Sequence, residues 1–110
     1  MSYLYNFEID TAEELTATLA RNLQQRRLEK GLSREALSTM SGVPTSTIAK
    51  FEQKHTIALT SYVALAKALG YSGDIKQLLA EPQYNTMEEL ETINRNKNRK
   101  RGRINLRKHK

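Results

Sequence analysis

Lysine and arginine are the residues of this chain best supplied for chemistry: half of all 18 fall between Arg95 and Lys110, a segment with no Asp or Glu. Cations at that density attract polyanions and release condensed counterions on binding. Residues 21–80 carry a further excess of +5, whereas residues 1–20 and 81–94 each sum to −4, so the net +6 hides two separate basic regions. Other reactive side chains are scarce. The absence of cysteine excludes disulfides, thiolate metal sites and a thiol nucleophile. His55 and His109 stand alone, with no cluster of ligands around either. No Ser, His and acid arrangement, Gly-rich phosphate loop or pair of carboxylates is legible, so neither catalysis nor a cofactor is expected.

The elements that must hold these groups read as helices. Thr11 with Glu14 has the form of a capping box, and Leu15, Leu19 and Leu23 follow at four-residue steps, predicting a long helix to about Glu29 that ends at Gly31. Ser33 is placed to cap a short second helix that buries Leu37, with Met40 one turn on, and stops at Gly42. Pro44 is pre-set for a helix start, and Thr45 to Gln53 puts Ile48 and Phe51 on one face, leaving Thr45, Ser46, Ala49 and Lys50 elsewhere. Thr60 or Ser61 is expected to cap a fourth helix with Val63, Leu65, Ala66 and Leu69 inward. Asp74 opens a fifth, with Ile75, Leu78 and Leu79, before Pro82. Thr86 and Glu89 form another capping-box pattern for a helix through Ile93. Before all these, Tyr3, Tyr5, Phe7 and Ile9 alternate as in a short strand. After them, Asn94 to Lys110 has only Ile104 and Leu106 as large apolar residues and is expected to be disordered when free.

From Leu32 to Glu52 the chain reads LSREALSTMSGVPTSTIAKFE, which resembles the XRE, or phage-repressor-like, helix-turn-helix family. Leu37 corresponds to the buried residue of the first motif helix, Gly42 to the turn glycine, Val43 to the buried residue after it, and Ile48 and Phe51 to the core face of the second. Glu52 matches too, and LQQRRLEKGLS and LAKALG extend the likeness over about Leu19 to Leu79. Independently of the family, a glycine between two short amphipathic helices permits the backbone angle that sets one across the other. Pro44 departs from the family, which often has Ser or Thr there as the cap. The flanks (an acidic capped N-terminal extension, KHTIALTSYVALAKALG, and EPQYNTMEEL before the basic tail) look more narrowly like HipB-like regulators encoded beside HipA-type kinase toxins.

The resemblance implies roles for individual residues. Thr45, Ser46, Thr47 and Lys50 would face DNA, with Lys50 reaching guanine O6 or N7 and the hydroxyls meeting base edges or, for Ser46 and Thr47, phosphate. Arg34 would clamp backbone phosphate and Lys54 would do likewise, unless either is an ordinary solvated charge.

The expected architecture is therefore all-α: a five-helix helix-turn-helix domain at 11–82, after an N-terminal extension with room for a strand at 1–10. A capped short helix at 83–94 and a basic tail at 95–110 follow it. The expected partners are double-stranded operator DNA, a second copy in a homodimer, and a HipA-like kinase toxin. The function implied is a repressor autoregulating a toxin-antitoxin operon. A free-standing phage-type repressor, an RNA-binding protein acting through its tail, and an adaptor that no longer binds DNA are the alternatives. With no leader pattern and no run of the roughly 18 apolar residues that cross a membrane, the chain is expected to be soluble and cytoplasmic, at the nucleoid.

Overall fold

Capping side chains set three of the six helix starts in the computed structural model, which describes residues 10–104. The strand expected over residues 1–9, and the end of the tail, lie outside the described residues. Among those described there are six α-helices and no strand: α1 (Ala12–Glu29), α2 (Arg34–Ser41), α3 (Thr45–Lys54), α4 (Leu59–Ala68), α5 (Ser72–Gln77) and α6 (Met87–Asn96). The chain divides into two units between Lys76 and Gln77.

At the head of α1 the capping box is complete. The Thr11 hydroxyl accepts from the Glu14 amide at 3.0 Å, and the Glu14 carboxylate accepts from the Thr11 amide at 2.9 Å. Ser33 Oγ accepts from the Ala36 amide at 3.0 Å to start α2. Helix α4 begins earlier than the cap preference of Thr60 or Ser61 predicts: Ala58 is its N-cap, with no side-chain hydrogen bond. Packing of the half-buried Tyr62 and fully buried Leu65 fixes where this helix must run, and it outweighs a cap contribution of about 1 kcal/mol.

In the first unit α1 packs on α3, and α2 packs on both α3 and α4. Ala20, Leu23, Leu37, Val43, Ile48, Phe51, Leu65 and Leu69 form the core they enclose. Phe51 meets Tyr62 edge-to-face, with ring centroids 5.6 Å apart.

Helix α1 buries a different line from the one its leucines predict. Leu15 and Leu19 are exposed, whereas Ala20, Leu23 and Arg27 are buried. Residues four apart on a helix differ by about 40° of rotation, so Leu19 and Leu15 lie about 40° and 80° to one side of Leu23, whereas Arg27 and Ala20 lie about 40° and 60° to the other, the side turned to the core. Met40 is likewise exposed, and Val63 only half-buried. Leu78 and Leu79 are exposed rather than inward, Leu79 at 95%, because α5 stops at Gln77 and the backbone turns left-handed at Leu79 with φ 64°.

The second unit carries α6. Thr86 Oγ1 accepts from the Glu89 amide at 3.1 Å, but the Glu89 carboxylate accepts from the amide of Asn85, one residue before the cap, so the box is only half made. This helix runs three residues past Ile93, to Asn96. Among the described residues, no helix is long and apolar enough to cross a membrane.

Candidate nucleic-acid interface

Two short helices and a three-residue turn build the site. Gly42 caps the C-terminal end of α2 at φ 79°, and its amide donates to the Ser38 carbonyl at 2.8 Å. A Cβ at Gly42 would meet nothing within 4 Å, so the requirement for glycine here is conformational rather than steric. Val43, buried in the core, pins the turn, and its amide donates to Ser41 Oγ at 3.1 Å. Pro44 occupies the N-cap of α3 rather than its first turn, at φ −58° and ψ 145°, and contributes only its carbonyl, which accepts from the amides of Thr47 and Ile48. The missing Ser or Thr cap is thus tolerated, but the cap has no side-chain hydrogen bond to the first amides of α3.

Ile48 and Phe51 are fully buried and fix the rotation of α3. Ser46 and Lys50 are exposed on the opposite side and Lys54 is exposed at the last residue, while Thr45 and Thr47 are half-buried on the flanks. Gln53 is exposed as well, and the spacing of Ser46, Lys50 and Gln53 places them in one stripe. Sequence reasoning left Gln53 out because it read that residue only as the end of the helix. The i, i+4, i+7 spacing was the signal that could have found it.

A buried ion cluster ties this helix to α1 and α2. Arg27, on α1, grips the Glu52 carboxylate with two nitrogens, Nε to Oε2 at 2.8 Å and Nη2 to Oε1 at 2.9 Å. Its Nη1 donates to the Leu32 carbonyl at 2.8 Å. Arg34, the first residue of α2, adds Nε to Oε1 at 2.9 Å. The Glu52 side chain is 1% exposed. Burial pushes its carboxyl pKa up, but the hydrogen bonds and charges of Arg27 and Arg34 outweigh that and hold it below its ordinary value. Sequence analysis matched Glu52 to the family without giving it a partner. Arg27, one four-residue step beyond Leu23, was missed because a charged residue at the end of an apolar stripe reads as its solvated limit.

Arg34, expected as a free phosphate clamp, is instead anchored through Nε, with its side chain still 32% exposed. Among the described residues, its two terminal nitrogens make no hydrogen bond. Arg34 lines a shallow cleft of about 380 Å³ with Arg27, Ser33, Glu35 and Thr45, where the starts of α2 and α3 come together. Arg27 and Arg34 against Glu52 and Glu35 leave these four side chains without net charge, but the guanidinium donors of Arg34 that Glu52 does not use are already oriented. The half-buried His55 caps α3 in a left-handed conformation, φ 67°. No group of three His, Cys, Asp or Glu that could hold a metal ion occurs among the described residues.

The family model HTH_3, described as helix-turn-helix, matches residues 23–76, which hold the whole of this arrangement. A protein of Neisseria meningitidis serogroup B (strain ATCC BAA-335 / MC58) described as "Neisseria hypothetical transcription factor" is 35% identical over 77 residues, 69% of this chain and 71% of its own length. No solved structure matches.

Proposed function

The chain belongs to the HTH_3 helix-turn-helix family of XRE-type DNA-binding transcription regulators, and on that footing we propose that it is a dimeric operator-binding repressor that reads bases through α3. The observation that carries this reading is the Ser46, Lys50 and Gln53 stripe, exposed directly opposite Ile48 and Phe51 on a helix held by the Arg27–Glu52–Arg34 cluster. Lys50 donates to guanine O6 or N7, and Thr45, Ser46 and Thr47 contribute base-edge or phosphate contacts at the entry of the helix. Arg34 and Lys54 bind backbone phosphate at either end and set the register. The operator is duplex DNA with two half-sites, one for each copy.

The target is the chain's own operon, shared with a HipA-like kinase toxin that it binds. The acidic capped N-terminal extension and the EPQYNTMEEL segment ahead of a basic tail support this narrower reading. A mobility shift and footprint on the fragment upstream of its own gene test the repressor: a protected pair of half-sites is expected, and binding to RNA in preference to any duplex would overturn it. A pull-down of the neighbouring gene product tests the toxin. If no kinase is captured, the chain is a free-standing repressor.

A further inference from the structure

We infer that Arg101, Gly102 and Arg103 form a second DNA-reading element that enters the minor groove of an A·T tract, an inference that rests on the DNA-binding reading above. Between Arg95 and Ile104 there are six cations and no acid. All are exposed, and among the described residues none of them is in a salt bridge, although Glu81, Glu88, Glu89 and Glu91 precede them in the same unit. Arg95 donates only to Thr92 Oγ1, at 3.2 Å. Beyond the end of α6 the chain turns, and Arg95, Arg99, Lys100, Arg101 and Arg103 line one open cleft of about 820 Å³. A cleft whose charged lining is entirely cationic fits a polyanion.

Charge alone would serve any phosphate backbone, but two further features favour a groove. Four of the six cations are arginine. Guanidinium is more weakly hydrated than ammonium and so loses less on entering the narrow, strongly negative minor groove of A·T tracts. Then there is Gly102. A Cβ there would meet nothing within 4 Å, and its φ is not in the left-handed region, so neither packing nor backbone conformation in this unit asks for a glycine. What remains is close approach of the backbone to something outside the chain. The chain bends at Lys100 and Arg101; drawn out along a groove, it would put Arg101 and Arg103 on the same side, so both can reach the floor with the glycine backbone between them. The exocyclic amine of guanine stands on that floor and blocks them, whereas adenine N3 and thymine O2 accept.

Inosine·cytosine pairs separate the grooves, because they carry a G·C-like major groove and, lacking that amine, an A·T-like minor groove. The full chain is titrated with poly(dA)·poly(dT), poly(dI)·poly(dC) and poly(dG)·poly(dC). Poly(dI)·poly(dC) is expected to bind like poly(dA)·poly(dT), each about tenfold tighter than poly(dG)·poly(dC). The Arg101→Lys, Arg103→Lys double variant, which keeps every charge, should bring the three within about twofold while leaving the salt slope unchanged. The inference is overturned if poly(dI)·poly(dC) follows poly(dG)·poly(dC), if the double variant keeps the preference, or if no polymer binds. Lys50→Ala serves as the control for α3. If it leaves affinity for a duplex selected from a random pool unchanged while the polymer ratios persist, the reading of α3 fails and the tail element stands.

Discussion

At the scale of single residues, burial decides which charges are available for recognition and which are part of the fold. Lys50 is exposed on a helix whose other side is locked, so Lys50→Ala should leave thermal unfolding unchanged. It should weaken operator binding by about 1 to 3 kcal/mol and relax preference at one base pair. Equal loss on operator and scrambled duplex would make it a phosphate contact and move base reading to Thr45 and Ser46. Arg27→Ala acts differently, since it leaves the Glu52 carboxylate buried with Arg34 as its remaining cation. It should cost about 3 kcal/mol of stability, measured by urea unfolding. Arg34→Ala should weaken all duplexes by similar factors and lower the salt slope by about one unit, with a smaller loss of stability because Arg27 still pairs with Glu52.

The same carboxylate gives the fold a pH dependence of definite sign. Its folded pKa lies below the ordinary value of 4.5, so the stability it contributes is fully present above that value and is lost as pH falls through the folded value. Melting temperature should therefore drop more steeply below pH 4.5 for the native chain than for Glu52→Gln. Parallel curves would mean that the pairing contributes nothing to acid lability.

Elements add their own requirement, which is that α3 be held at a fixed angle to α2. Gly42 carries that angle with a φ of 79° and open space around its Cβ position, so Gly42→Ala should cost about 1 to 2 kcal/mol through backbone strain alone. Gly42→Asn should recover part of it, because asparagine tolerates the left-handed region. Denaturant midpoints of the two variants make the comparison, and equal losses would point to packing rather than conformation. Helix α1 shows the opposite relation between element and site. Leu15 and Leu19 of its leucine repeat are exposed, and beyond the core contacts of Ala20 and Leu23 it reaches the interface through Arg27.

For the molecule as a whole, the prediction concerns how separate basic regions share one duplex. Deleting residues 95–110 removes nine cations and should weaken specific and non-specific DNA binding together and flatten the salt dependence, as counterion release requires. An unchanged slope in a salt titration would assign the tail to another partner. A twofold dimer should protect half-sites about 34 to 36 Å apart, or a multiple of that spacing. Light scattering that finds a monomer both alone and on DNA would defeat it.

Local signals in the sequence were enough for what depends on neighbours in the chain. Thr11 with Glu14, Ser33 and Gly42 mark helix ends by hydrogen bonds and backbone angles spanning four residues or fewer, and Ile48 with Phe51 fixes the face of α3 by rotation alone. Lys50 follows from that rotation, which is why its exposure was legible without coordinates. Packing decided the rest. Which line of α1 is buried depends on the surface of α3, so Leu15 and Leu19 were misread and Arg27 was not seen. The meeting of Arg27, Glu52 and Arg34 joins three helices across 25 and 18 residues of chain. No periodicity records such a separation, because it exists only once the helices have docked.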